Sequence, residues 1–376
     1  MAASMLGSSA INDFDGVSLD MLVRQGFRPV SITRTQMFTP DVLGVDLSPA
    51  EMSATFAPGS HLEVAIPLPG GPAIRHYSLV AGDEDGLRIA VLREGDGRGG
   101  SSWLHENLGA CSSVLIRGPR DTFGYGGTGP AYFVAGGIGI TPLTSMVSAS
   151  AAAGIDWHLL YVGRRREAMA FTETLVDAYG TEHVTVHVTE EAGRPDVVSC
   201  ARRWLEEHGG SGYVYTCGPA PLMRTLDDGF AKDPRVIVIK EDFDSVDATS
   251  ALPISGGGSA VSPSSDHVTV ACDTAPTSTG QSGTGAVGDA PFVVELTDGS
   301  EVIVPPGCSI IDALGDAGIR TLSSCQKGTC GTCEAVILDG TADHRDSVLA
   351  THEQDAQETM MICVSRACGE RITLDL

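Results

Sequence analysis

Four cysteines near the C-terminus are spaced for metal chemistry. Cys325, Cys330 and Cys333 follow the pattern C-x4-C-x2-C, and Cys363 comes after 29 intervening residues. A plant-type [2Fe–2S] cluster takes such a set, four thiolates around two irons and two sulfides. Three ligands on one tight loop leave little room for side chains. Gly328 and Gly331 supply backbone freedom where a Cβ would clash. Structural zinc is the bland alternative, but it more often uses paired C-x2-C knuckles or adds histidines. A cluster module carries single electrons, so the rest of the chain should hold their source or their destination.

Two other regions have residue types suited to phosphates. Arg75-His76-Tyr77-Ser78 ends a strand-like stretch, and about twenty residues later comes Gly97-Arg-Gly99-Gly100-Ser101. A tyrosine ring can lie on a flavin, an arginine can pair with its phosphate, and a serine hydroxyl can bond its ring or chain. A glycine-rich turn at a helix start offers bare N–H groups and a positive dipole end, a cradle for one phosphate. Further on, Gly136-Gly137-Ile-Gly139-Ile-Thr141-Pro142 follows an apolar run, and Cys217-Gly218-Pro219 follows another. Glycines there allow a pyrophosphate to approach the backbone, and Thr141 can donate to it. In open α/β sheets ligands bind beyond the carboxyl ends of strands, where both motifs fall.

These residues must be positioned by more than one domain, since 376 residues exceed one ordinary domain. After an extension over residues 1–27, short strands punctuated by Pro and Gly predict an antiparallel barrel over 28–126. Ala90 and Val91, on its Leu87–Leu92 strand, join the flavin candidates. Trp103–Leu108 reads as a short helix with Ser101-Ser102 as its cap. From 127 to 243 apolar strands alternate with helices, which predicts a parallel sheet covered on both faces. Residues 244–290 hold no Lys, Arg or aromatic residue and read as a flexible linker. Strands and a helix resume over 291–376 around the cysteine loop, an α+β module. The fold class is therefore multidomain.

Net charge is −24, which argues against nucleic acid and anionic membranes as partners. No apolar run is long enough to cross a bilayer, and the start of the chain lacks the pattern of a signal peptide. Six further cysteines are scattered without a disulfide framework. A cytoplasmic protein with reduced thiols is the expectation.

Arg75-x-Tyr77-Ser78, Gly97–Ser101, Gly136–Pro142, Cys217–Pro219 and the C-terminal cysteine pattern, in this order, resemble the phthalate dioxygenase reductase family of the ferredoxin–NADP reductase superfamily. The resemblance covers residues 28–376 apart from the linker. It implies a flavin barrel, a nicotinamide domain and a β-grasp ferredoxin, with FMN rather than FAD. It implies that Phe243 stacks on the flavin until nicotinamide displaces it, and that Ser78 and Cys217 position the two rings. No side chain need act as acid or base. It implies that Asp343-His-Arg-Asp346 is a structural turn. His76 stands where Thr or Asn is more usual, and the linker is longer than expected. Arg164-Arg-Arg166, after the second sheet strand, would suit a 2′-phosphate of NADPH, whereas the family favours NADH. The implied activity is electron transfer from NADH through FMN and the cluster to an oxygenase. A Rieske-type enzyme acting on an aromatic compound is the first expectation, and a haem-thiolate monooxygenase the alternative. A redox-sensing module without turnover is the reading from another class. The module over 291–376 carries 14 Asp and Glu against 5 Lys and Arg, which suggests a partner with a basic rim.

Overall fold

The computed structural model describes residues 13–48, 56–68, 71–80, 87–95, 99–109, 113–241, 243 and 289–376. It divides into two compact units, residues 1–244 and 245–376.

The first unit opens with helix α1 (Gly16–Arg24), capped by the Asp15 carboxylate, which accepts from Ser18 N at 2.7 Å. Six strands follow: β1 (Arg28–Thr39), β2 (Val42–Ser48), β3 (His61–Leu68), β4 (Gly71–Val80), β5 (Leu87–Leu92) and β6 (Ser113–Arg120), with α2 (Gly100–Asn107) between the last two. They close into an antiparallel barrel in the order β1-β2-β5-β4-β3-β6. Alternate residues fill it: Val45, Leu47, Leu62, Val64, Ile66, Leu79, Ile89, Val91 and Ile116 form one buried cluster. This is the period-2 pattern of strands with one face inward.

The same unit continues with β7 (Ala131–Gly136), α3 (Ile140–Ala153), β8 (Trp157–Gly163), α4 (Thr172–Tyr179), β9 (Val184–Val188), α5 (Thr189–Ala192), α6 (Val197–Glu207), β10 (Gly212–Cys217), α7 (Ala220–Phe230) and β11 (Val236–Glu241). The five strands are parallel in the order β11-β10-β7-β8-β9. Every residue of β7 is buried. Phe133 and Ala135 enter one core cluster, while Tyr132 and Val134 enter another. A central strand covered on both faces needs such an unbroken apolar run.

The second unit contains β12 (Phe292–Leu296), β13 (Glu301–Val304), α8 (Ile310–Asp316), β14 (Glu334–Asp339), β15 (Ala342–Asp343), α9 (Thr351–Ala356), β16 (Thr359–Met361), β17 (Arg366–Ala367) and β18 (Arg371–Asp375). Its mixed sheet runs β13-β12-β18-β14-β16, and β15 pairs with β17. Helix α8, capped by Ser309, lays Ile310, Ile311, Ala313 and Leu314 into the core beneath that sheet. The observed architecture is the expected one of barrel, parallel sheet and α+β module. Of the expected linker, residues 244–288 lie outside the described residues. Asp289 is described with the second unit, where Arg345 holds it at 2.8 Å.

One local expectation is corrected. Ser101 and Ser102 do not cap α2. The helix starts at Gly100 behind Gly99, whose φ is +82°, and no side chain among the described residues caps it. Ser101 Oγ instead accepts from Glu94 N at 3.1 Å, and the Ser102 hydroxyl donates to Glu94 O. The two serines tie the helix back onto the chain leaving β5. Among the described residues no helix is long and apolar enough to cross a membrane.

Candidate functional site

Of the flavin candidates, Arg75, Gly99, Gly100 and Ser101 meet at the N-terminus of α2. An added Cβ at Gly100 would lie 3.0 Å from Arg75 Nε and 3.3 Å from Ile66 Cδ1. Arg75 on β4 therefore runs across the helix start, and only a glycine leaves it that path. An uncapped helix N-terminus beside a guanidinium is what a phosphate needs. Gly97 and Arg98 lie outside the described residues; Gly99, Gly100 and Ser101 stand as stated. Ser78 is buried, and its Oγ has no hydrogen-bond partner among the described residues. A buried hydroxyl left bare costs about 1–3 kcal/mol, so an acceptor or donor from a bound group fits there. Tyr77 is half-buried, and burial pushes its hydroxyl pKa up. Ala90 packs with Val42, Val80 and Ala170. Val91 points into the barrel core, and its carbonyl meets His105 Nε2 at 2.9 Å, which leaves it little to offer a ligand.

His76 faces away from this cradle. It stands opposite Glu63 in register, 3.6 Å from that carboxylate, and stacks on His61 with ring centroids 4.8 Å apart. Glu63 is fully buried and bonds Arg117 through two hydrogen bonds of 2.5 and 2.8 Å. Burial lowers the pKa of His76 to about 4 and that of His61 to about 3.

The dinucleotide motifs meet each other. An added Cβ at Gly139 would lie 2.2 Å from Cys217 O, and one at Gly136 would lie 2.7 Å from Pro219 Cδ. A Cβ at Gly218 would lie 2.8 Å from Gly136 Cα. Three of these glycines therefore let two turns pack backbone to backbone at the ends of β7 and β10. Gly137 differs, with φ +56° and open space where its Cβ would be. That leaves the backbone at Gly137 open to approach. The Thr141 hydroxyl donates inward to Ile138 O at 3.0 Å, so it serves the turn rather than the expected phosphate. Pro142 is buried in the first turn of α3. Arg164 is exposed and pairs with Glu190 at 2.9 Å. Cys217 is fully buried, and Phe243 is half-buried against the core that contains Cys217.

Glu241, which the sequence reading did not single out, belongs here. It stands beside Cys217 in register at the carboxyl end of β11. Its Oε2 is enclosed and has no hydrogen-bond partner among the described residues. Burial, reinforced by the Asp121 carboxylate and opposed by a hydrogen bond from Thr122, raises its pKa to about 8. The carboxyl is thus held protonated at neutral pH. Its only sequence signal was a carboxylate ending a sheet strand.

In the second unit Cys325, Cys330, Cys333 and Cys363 are all buried. They fall into two contacting pairs. A hydrogen bond from Cys330 lowers the pKa of Cys325 to about 4 and pushes that of Cys330 up. Cys363 and Cys333 show the same relation, the first held down and the second up. Backbone donors are already aimed at sulfur: Lys327 N reaches Cys325 Sγ at 3.4 Å. Among the described residues no group of three or more His, Cys, Asp or Glu is arranged for a single metal ion. Two-and-two thiols suit two irons better than one.

A model of the 2Fe-2S iron-sulfur cluster binding domain matches residues 295–368, and one of the oxidoreductase NAD-binding domain matches 133–228. The chain is 33% identical over 342 residues to phenoxybenzoate dioxygenase subunit beta of Ectopseudomonas oleovorans, covering 89% of this chain and 93% of that one. It is 30% identical over 358 residues to phthalate dioxygenase reductase of Burkholderia cepacia, covering 93% and 98%. Among solved structures it resembles an intact type IV self-sufficient cytochrome P450 monooxygenase, with TM-score 0.65 and 32% identity. That match covers 93% of this chain but only 41% of the other. A second match, with TM-score 0.57 and 29% identity, is to phthalate dioxygenase reductase, covering 95% of this chain and 100% of the other. With FMN, NADH and a [2Fe–2S] cluster as its cofactors, this iron–sulfur flavoprotein oxidoreductase belongs to the phthalate dioxygenase reductase family.

Proposed function

We propose that the chain is the NADH-dependent reductase component of a Rieske-type oxygenase that acts on an aromatic compound. The observation that carries this reading is the presence of three fitted sites on one chain: the Arg75–Gly100 cradle, the paired glycine turns, and the two thiol pairs. FMN, when bound, supplies the conversion between a nicotinamide hydride, two electrons at once, and a cluster that takes one.

The chain's own residues do the holding. Arg75 and the amides at the start of α2 would grip a phosphate, and the Ser78 hydroxyl, without a partner among the described residues, would bond the flavin. Gly137 leaves the pyrophosphate its place. Cys217 and Phe243 set the nicotinamide against the flavin, and Glu241 holds a proton beside them. Cys325 and Cys330 take one iron, Cys333 and Cys363 the other. Arg164 does not present an uncompensated charge, because Glu190 occupies it. A 2′-phosphate would meet that carboxylate, which supports NADH over NADPH.

The names of curated relatives support an oxygenase as acceptor. They include a phenoxybenzoate dioxygenase subunit and a phthalate dioxygenase reductase. The Rieske type is the finer proposal. A haem-thiolate partner is the second reading, favoured by the likeness to the P450 fusion. The purified chain, loaded with FMN and cluster, should support NADH-driven turnover of a Rieske oxygenase. Turnover with a haem-thiolate monooxygenase and none with the Rieske enzyme would reverse the assignment. Cys325→Ala should abolish transfer to the oxygenase and largely spare NADH-to-ferricyanide activity. Survival of both activities would reject the cysteine loop as the exit.

A further inference from the structure

Three segments of the second unit converge on one glycine. Gly328, with φ +69°, lies inside the cysteine loop. An added Cβ there would be 2.6 Å from Val364 Cγ2 and 3.0 Å from Asp346 Cα. Its N–H donates to Cys363 Sγ. Its carbonyl accepts from Ser347 N at 2.9 Å. The loop with three cysteines, the turn at 343–349 and the segment carrying Cys363 are therefore packed without clearance.

Asp346 is the polar member of this junction, and its side chain has no exposed surface. One oxygen, Oδ2, accepts from Val348 N at 3.1 Å and Leu349 N at 2.9 Å, which shapes the turn itself. The other, Oδ1, accepts from Ser365 Oγ at 3.4 Å, nineteen residues away. Ser365 is buried, two residues beyond Cys363, and its Oγ also accepts from Arg345 N at 3.2 Å. His344 Nδ1 is 3.7 Å from the same carboxylate, and neither ring nitrogen has a hydrogen-bond partner among the described residues. A buried carboxylate is expensive unless donors surround it. The turn itself needs only one oxygen, which an amide would supply as well, so the reach across to Ser365 is what takes the second.

We propose that Asp346 is a positioning residue for the cluster. Its backbone lies on Gly328 and its Oδ1 holds Ser365, and so it fixes the segment bearing Cys363 against the loop bearing the other three thiols. Sequence separation makes such a tie necessary: 29 residues intervene between the third thiol and the fourth, and chain connectivity does little to hold it there. The proposal deepens the reading that these four cysteines hold the [2Fe–2S] cluster, and rests on it.

The test uses the full-length, cluster-loaded protein and three variants: Asp346→Asn, Ser365→Ala and the double change. Asparagine keeps an oxygen for Val348 N and Leu349 N but loses the one that Ser365 meets. Bleaching of the visible cluster absorbance in excess EDTA gives the rate of cluster loss, and electron paramagnetic resonance of the dithionite-reduced protein gives the cluster's electronic signature. Losing this bond leaves a buried carboxylate oxygen or serine hydroxyl short of a partner and frees the segment bearing Cys363. Each single variant should therefore lose its cluster at least tenfold faster and show a shifted resonance. The double variant should be no faster than the faster single, because both remove one shared interaction. Unchanged rates and spectra in the singles, or multiplied rates in the double, would overturn the proposal. Ser365→Ala decides the matter alone if the asparagine variant fails to fold. Failure of the underlying reading looks different: Cys363→Ala would then keep the wild-type spectrum and rate.

Discussion

Replacing Glu241 by glutamine should make the first unit less sensitive to a rise in pH from about 4.5 to about 8. The carboxyl ordinarily ionises near 4.5, and in the fold it does so at about 8. Below pH 4.5 folded and unfolded chains both hold the proton, and Glu241 contributes no pH dependence. Between 4.5 and about 8 only the unfolded chain releases it, so stability falls as pH rises. Above that window both states are ionised and the loss stays constant. At about 1.4 kcal/mol per pH unit the full window corresponds to at most ~5 kcal/mol. The residue is half-buried, and water at its rim screens part of the charge, so roughly 2–4 kcal/mol should be measured. Glutamine keeps an acceptor for Thr122 and cannot ionise. Urea unfolding of the full chain at pH 5, 6.5 and 8, followed by tryptophan fluorescence, reads the effect. Trp103, Trp157 and Trp204 are the only tryptophans and all lie in the first unit, so the cysteine module is silent. The stability of wild type relative to the Gln variant should drop by at least 2 kcal/mol from pH 5 to 8. Parallel curves would refute the assignment of a protonated, enclosed carboxyl.

Gly139→Ala places a Cβ 2.2 Å from the Cys217 carbonyl oxygen, a backbone atom that cannot swing aside. It should cost about 3 kcal/mol or more, lowering the first unit's melting temperature by roughly 6–12 °C in calorimetry. Gly137→Ala has open space but a φ of +56°, so it should cost only about 1 kcal/mol while raising the KM for NADH. Glu190→Gln frees Arg164 and removes a carboxylate from the approach of a 2′-phosphate. The ratio of kcat/KM for NADH to that for NADPH should fall roughly tenfold in steady-state assays.

The fold was legible wherever a signal is local. The unbroken run Ala131–Ala135, ended by glycines, reads as a strand covered on both faces, and the C-x4-C-x2-C spacing needs no tertiary knowledge. The site was legible in its residue types and less so in their roles. Gly136, Gly139 and Gly218 read as ligand-approach glycines, yet their missing side chains admit another turn of the same sheet. Thr141 read as a phosphate donor, yet the 3₁₀ turn before α3 presents Ile138 O to its hydroxyl first. Ser101 and Ser102 have the chemistry of a cap, but the chain leaving β5 passes close enough to claim both. In each case a neighbour distant in sequence decided what a locally plausible group does.

His76 shows the same rule from the side of composition. At that position the family resemblance leads one to expect Thr or Asn, and the sequence groups the histidine with the flavin-binding residues around it. Strand register gives it another task. Glu63 on β3 faces His76 on β4 and Arg117 on β6, so one fully buried carboxylate is served from both neighbouring strands. Arg117 supplies the charge, with two hydrogen bonds. His76 closes the other side, stacked on His61. With pKa values lowered to about 4 and about 3, mainly by burial, both rings are neutral at physiological pH. The unfolded chain takes up their protons near 6.5 and the folded one does not. The pair therefore leaves stability undiminished above that pH and destabilises the barrel as pH falls below it. A threonine could not stack on His61 or reach as far toward Glu63. The histidine that the sequence offers as a flavin contact is held by its strand partners as part of the barrel wall, on the opposite strand face from Arg75 and Tyr77.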